Sequence, residues 1–105
     1  MPYVRAGYAS FSRFLYAASK LIMMGHAFDD LGVERLVWHT DIRNTRSQAA
    51  IARLGATQEG VLRHHRIRRD GSWRDTVQFS MLNAEWPAVR RRLESRLQSA
   101  SDQGD

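Results

Sequence analysis

An Asn and a Ser three residues apart, Asn44 and Ser47, open an Ala-rich stretch that stops at Gly55. Asn44 suits a helix N-cap, because its side-chain oxygen can accept a first-turn N–H. A neutral Asn can also hold an amide without adding charge. A hydroxyl on a helix first turn lies near the positive end of the dipole and near N–H groups without intrahelical partners. That placement suits stabilising or protonating a developing anion. The plainer account is structural: Asn44 caps this helix whether or not a ligand binds, and Ser is common in a first turn. The residues alone favour the plainer account.

Other reactive residue types offer less. The chain has no cysteine, which excludes disulfides and Cys-based zinc sites. His64 and His65 are adjacent on a candidate strand, where neighbours point to opposite faces, so they make a poor metal pair. His26 reads as a solvated or core-edge histidine rather than a ligand. No metal is expected.

The 105 residues suit one domain, and a hydrophobic fraction of 43% argues against disorder for its body. Fifteen Arg and one Lys against eleven acids give a net charge of +5, which favours anionic partners. Residues 1–13 carry Arg5 and Arg13 and show no signal-peptide pattern. The longest apolar stretch, Phe14–Met24, contains Lys20 and is too short to span a bilayer. A cytoplasmic location without membrane attachment is expected.

These residues need elements to position them. Residues 1–12 show no firm period, although five aromatics fall in the first sixteen positions. A helix is predicted from Ser12 to Leu31, with Leu21, Met24, Phe28 and Leu31 on one stripe, Met23 also in the core, and Gly32 as its stop. "RLVWHT", Arg35–Thr40, reads as a buried, central strand. The Asn44–Leu54 helix follows, with Ala50, Ile51 and Leu54 inward and Gly55 ending it. Val61–Leu82 reads as a hairpin joined by a two-residue Asp70-Gly71 turn. That register sets Arg68 opposite Trp73, Arg66 opposite Asp75, His64 opposite Val77 and Leu62 opposite Phe79. It predicts an Arg66–Asp75 ion pair and an Arg68–Trp73 contact. A last helix carries Trp86, Val89, Leu93 and Leu97 as its stripe, with Pro87 tolerated in the first turn. Residues 98–105 are expected to be a disordered tail. The fold class is α/β (α+β), in the order helix, strand, helix, β-hairpin, helix.

In that order the segments "HAFDDLG", "NTRS" with "LGA", "EGVLR", "DG" with "RDTV", and "EWP" become specific. From about Lys20 to Leu97 the chain resembles the C-terminal half of a GNAT-type N-acetyltransferase, in the branch of the ribosomal-protein N-terminal acetyltransferases. The resemblance implies an acetyl-CoA-dependent transferase with an amine acceptor, either a protein N-terminus or a small molecule. By resemblance, Asn44 contacts the pantetheine or the attacking-group side, Arg46 faces the cofactor, and Ser47 protonates the leaving thiolate as the catalytic residue. Asn44, Arg46 and Ser47 are thus the expected cofactor-binding set.

The family also places a Gln/Arg-x-x-Gly-x-Gly/Ala loop before the earlier helix, and Arg5, Gly7 and Ala9 echo it with the wrong spacing. Residues 1–19 are expected to be a divergent segment of a single truncated domain spanning 1–97. Two other functions compete. One is a non-catalytic remnant that binds a partner chain. The other is a basic nucleic-acid surface on Arg63, Arg66, Arg68, Arg69 and Arg74. Only Trp73 lies near those arginines, so nucleic acid is not the expected partner. Because "RLVWHT" lacks a strand on its outer edge, a homodimer is expected.

Overall fold

The computed structural model describes the backbone of residues 2–104 and the side chains of residues 13–99. Its elements are α1 (Pro2–Gly25) with a closing π-turn (His26–Asp30), β1 (Arg35–Asp41), α2 (Thr45–Leu54), β2 (Thr57–Ile67), β3 (Trp73–Leu82), a 3-10 turn (Asn83–Glu85) and α3 (Trp86–Gly104). They form two units, residues 1–33 with 83–105, and residues 34–82.

The first unit pairs α1 with α3. Ala17, Met24 and Phe28 are buried from one side, and Trp86, Val89 and Leu93 from the other. The last three match the stripe expected for the final helix. Phe28 stacks on Trp86 at a ring distance of 5.6 Å. Asn83 Nδ2 donates to Val33 O at 2.8 Å, tying the chain entering α3 to the chain leaving the π-turn.

Three expectations fail in this unit. The first helix begins at Pro2, not Ser12; proline suits a first helical position because its missing N–H has no intrahelical acceptor there. Leu31 is 65% exposed and Met23 56% exposed, so neither is core. The π-turn changes the helical period after Gly25, and the stripe drawn through Phe28 to Leu31 no longer holds. His26 is exposed, as expected of a solvated histidine, and its Nδ1 lies 3.2 Å from the equally exposed Asp30 Oδ2. Finally, α3 continues to Gly104, through the stretch expected to be a disordered tail after Leu97.

The second unit is a three-stranded antiparallel sheet of order β1-β3-β2, with α2 against it. β1 is therefore an edge strand here, not a central one, because the second arm of the hairpin returns beside it. Ile51 of α2 packs with Val77 and Phe79 of β3, and Trp38 and Ala56 border that cluster. The other face of β1 and β3 is polar, carrying Arg35 and His39, and Arg74, Thr76 and Gln78.

The hairpin exists, but its register differs from the expected one. Arg68 N donates to Ser72 O at 2.8 Å and Gly71 N to Arg68 O at 2.9 Å. Arg69 and Asp70 are the turn centre, and Gly71, at φ 89°, takes the left-handed position that follows it. Such a three-residue loop shifts the partners by one. Ile67 then faces Trp73 and Arg66 faces Arg74. Asp70 Oδ1 holds the loop by accepting Ser72 N at 2.9 Å and Ser72 Oγ at 2.6 Å. Bulges between Leu62 and Arg66 and between Gln58 and Gly60 shift the register further, so that Leu62 faces Thr76. The Arg66–Asp75 pair is absent. Arg68 reaches Trp73 only through its backbone oxygen, at 2.6 Å.

Candidate active site

The first turn of α2 follows β1 after a loop of three residues, Ile42, Arg43 and Asn44, and that loop is held at several points. Asp41, the last residue of β1, is the anchor. Its carboxylate accepts Arg68 Nε and Nη2, each at 2.7 Å, in a bidentate pair. It also accepts Arg43 N at 3.0 Å. The Asp41 carbonyl accepts Asn44 N at 2.8 Å and Gln48 Nε2 at 3.2 Å. Gln48 Nε2 also donates to Ile42 O at 2.9 Å, so one α2 side chain clamps the loop that leads into its own helix.

Within that frame Asn44 caps α2. Its Oδ1 accepts Ser47 N at 2.9 Å, and its own carbonyl accepts Gln48 N at 3.1 Å. Thr45 and Arg46, the first two helical residues, keep N–H groups without intrahelical acceptors. Ser47 is half-buried, and its hydroxyl makes no hydrogen bond among the described residues. Arg46 is exposed. The structure thus brings Asn44 and Ser47 together through the cap and places Arg46 between them on the same turn. Asn44→Ala is expected to cost about 1 kcal/mol of stability through loss of the cap alone. Asn44→Asp, which keeps the acceptor, is expected to recover most of it; urea denaturation of the three proteins checks both.

Sequence reading missed Asp41 and Gln48, and gave Arg68 the partner Trp73 instead of Asp41. The available signal was an acid at a strand end three residues before an N-cap. Its arginine partner lies 27 residues away, beyond any local pattern.

Hydrogen bonding from Arg68 and then from the Arg43 N–H holds the Asp41 carboxyl well below the usual carboxylate range. The Arg68 guanidinium is raised in turn, first by its hydrogen bonds to Asp41. A depressed folded-state value stabilises the fold above the ordinary carboxyl value, about 3.9, and that stability is lost as pH falls through the folded value. Stability is therefore expected to decline below about pH 4. Asp41→Asn is expected to flatten this acid limb, as thermal melts from pH 7 to pH 2 would report. A limb of unchanged steepness would remove Asp41 from it.

Residues 7–57 match the family model described as the acetyltransferase (GNAT) domain. No curated protein matches the chain. Among solved structures, an assigned acetyltransferase from T. thermophilus is 49% identical over 76% of this chain and 43% of its own, with a TM-score of 0.73. A GCN5-related N-acetyltransferase from Brucella melitensis is 33% identical over 80% of this chain and 38% of its own, with a TM-score of 0.76. The chain folds as part of a GNAT acetyltransferase domain. It spans about two fifths of the length of those two structures. The spermidine/spermine N-acetyltransferase SpeG from Vibrio cholerae, at 19% identity and a TM-score of 0.61, shares the fold alone.

The GNAT match begins at residue 7, inside the segment expected to be divergent. That segment departs from the family's loop in its backbone. Gly7 and Ala9 lie within α1, where N–H groups are spent on carbonyls four residues back. They do not form the open loop of N–H groups that grips a pyrophosphate.

Proposed function

We propose that this chain carries the thiol end of an acetyl-CoA site and supports acetyl transfer to an amine, in the branch resembling the ribosomal-protein N-terminal acetyltransferases. The observation that carries the reading is the polar first turn of α2. Asn44 and Ser47 stand at a helix start fixed by Asp41, Arg68 and Gln48, inside the segment that matches the GNAT domain. In the reaction the amine nitrogen bonds to the thioester carbonyl carbon and the carbon–sulfur bond breaks. The departing sulfur takes a proton from the Ser47 hydroxyl, and the proton released by the amine returns through solvent to restore that hydroxyl. Helix-start N–H groups and the helix dipole favour the charge that develops near them. Arg46 serves the cofactor from the exposed side of the same turn. The acceptor is a protein N-terminus or a small amine.

The helical backbone at Gly7 and Ala9 favours a second reading, a non-catalytic module in which this segment grips no phosphate. Calorimetric titration with acetyl-CoA decides between them. Saturable binding that Asn44→Ala weakens supports the transferase; no heat at millimolar ligand sinks it and leaves the binding module.

The partner in either reading is a second copy of this chain. Ile42 N donates to Asp75 O, so in the antiparallel ladder the alternate residues Val37 and His39 turn their backbone groups away from β3. That edge has no strand partner among the described residues, and an open edge invites pairing. Light scattering at the monomer mass would refute the dimer. No described helix is long and apolar enough to cross a membrane, and a cytoplasmic location fits the proposal.

A further inference from the structure

The hairpin contains a strained residue that the acetyl-transfer reading does not use. His64 sits at φ 47°, the one non-glycine residue at positive φ among the described residues. It occupies the bulge between the Leu62–Thr76 and Arg66–Arg74 pairs, where three residues of β2 oppose Asp75 alone. The strained backbone is held: His64 N donates to Asp75 Oδ1 at 2.8 Å, and its ring stacks on Trp73 at 5.0 Å. Strain of this kind persists only where the surroundings enforce it, and bulges re-aim side chains.

What the bulge gathers is positive charge. On a regular strand His65 and Arg66 would point to opposite faces. Here His65 Nδ1 lies 3.0 Å from Thr76 Oγ1, and Arg74 Nε donates to that same oxygen at 3.0 Å. Arg66 faces Arg74 directly across the ladder. The His39 ring meets the His65 ring edge-on at 5.3 Å. Two arginines and two histidines thus converge around one fully buried threonine. Like charges set opposite each other destabilise a hairpin unless something offsets them.

The neighbouring acids are otherwise engaged. Asp41 feels the Arg74 charge, but both its oxygens are taken by Arg68. Glu59 accepts from Gln78 and pairs with Arg35. Gln78 Oε1 faces His39 Nε2 at 2.8 Å. Because Gln78 donates its amide to Glu59, its oxygen is free to accept from His39 Nε2. Arg66 makes no hydrogen bond or ion pair among the described residues. Burial first, then the charges of Arg66, His39 and Arg74, push the His65 imidazole down toward its neutral form. An oxyanion placed among these groups would relieve all of those repulsions.

We infer that His39, His65, Arg66 and Arg74, gathered over the buried Thr76, bind a phosphate or carboxylate group. Guanidinium forks match both anions in geometry. Such a group could arrive on the acetyl donor or on the amine acceptor. The site is independent of the acetyl-transfer reading, since it is defined on β1, β2 and β3 without the α2 first turn.

The test is a titration of the whole chain with inorganic phosphate at constant ionic strength, read from the imidazole nitrogen resonances of His39 and His65. Saturable shifts in both rings are expected. Arg66→Gln should raise the half-saturation concentration about tenfold, the loss of one charged hydrogen bond. Arg66→Lys should fall between, and Arg91→Gln on α3 should match the parent. Far-UV circular dichroism of each variant confirms the fold. Absence of saturation, or equal affinity in Arg66→Gln and parent, overturns the site. Acetyl-CoA and phosphate-free S-acetylpantetheine then identify the source. Displacement of phosphate by acetyl-CoA alone assigns the anion to the donor; retention of phosphate beside either thioester assigns it to the acceptor. A phosphate site in a chain that binds no acetyl-CoA would sink the transferase reading and leave this one standing.

Discussion

Trp86→Ala is expected to lower the unfolding free energy by about 3–5 kcal/mol, the range for removing a large aromatic from a core. Trp86 is 2% exposed, and it does three things at once. Its ring stacks on Phe28 at 5.6 Å, joining α3 to the π-turn that ends α1. Its Nε1 donates to Asp29 Oδ2 at 3.0 Å, which gives the buried indole its one required acceptor. It also starts α3, next to Pro87, where the chain turns out of the 3-10 segment. Truncation would leave a cavity between two helices that cannot collapse easily, because Asn83 ties their ends through Val33 O at 2.8 Å. Trp86→Phe keeps the stack and removes the donor, so it is expected to cost only about 1–2 kcal/mol. The exposed Asp29 keeps Arg90 as a partner at 3.3 Å, which limits that loss. Urea denaturation of the parent and both variants gives the three values. A Trp86→Ala variant within about 1 kcal/mol of its parent, far short of the usual cost of such a truncation, would mean that the two helices do not depend on this contact.

The same residue shows what is legible in the sequence. Trp86, Val89 and Leu93 recur at helical spacing, and all three are buried. α2 is equally readable, since cap and stop are local chemistry: Asn44 accepts the Ser47 N–H, and Gly55 takes φ 104° at the end. β1 starts where expected, at Arg35, and runs one residue longer, to Asp41. Its position in the sheet is not legible in the same way. Leu36, Trp38 and Thr40 alternate with the more polar Arg35, His39 and Asp41, a half-buried pattern that also scans as a continuous apolar run.

Hairpin register is not legible, for a physical reason. Asp-Gly serves as the centre of a two-residue turn, or as the last two positions of a three-residue loop with Gly left-handed. The choice rests on Asp70 gripping Ser72, and on the bulge at His64, whose support comes from Asp75 and Trp73 on the other strand. In the site, the Asn44–Ser47 turn is found by its residue types. The Asp41–Arg68 clamp that fixes it joins residues far apart in the chain, and no periodicity reports such a pair. The long first helix escapes sequence reading because residues 2–11 place aromatics and small residues without a helical period.

The second large effect belongs to Ser47. If the proposed transfer holds, with Ser47 as its proton donor, Ser47→Ala is expected to lower kcat with an amine acceptor by about 100-fold, the lower end of what such a donor contributes. Its effect on stability is expected to be near zero. The structural task of residue 47 is carried by its backbone N–H, which donates to Asn44 Oδ1 at 2.9 Å. The hydroxyl takes no part in that bond, and Ala is the better helix former. Melting temperature should therefore hold, and so should the calorimetric affinity for acetyl-CoA, because the proton is needed only as the thiolate departs. Asn44→Ala should behave in the opposite way, losing stability and cofactor affinity together. The contrast separates chemistry from capping within one helical turn. Release of free CoA thiol, followed with a thiol reagent, gives the rate for each protein under the same conditions. An equal kcat in Ser47→Ala and parent would take Ser47 out of the mechanism, and the α2 first turn would then be a cap that happens to begin with serine chemistry close by.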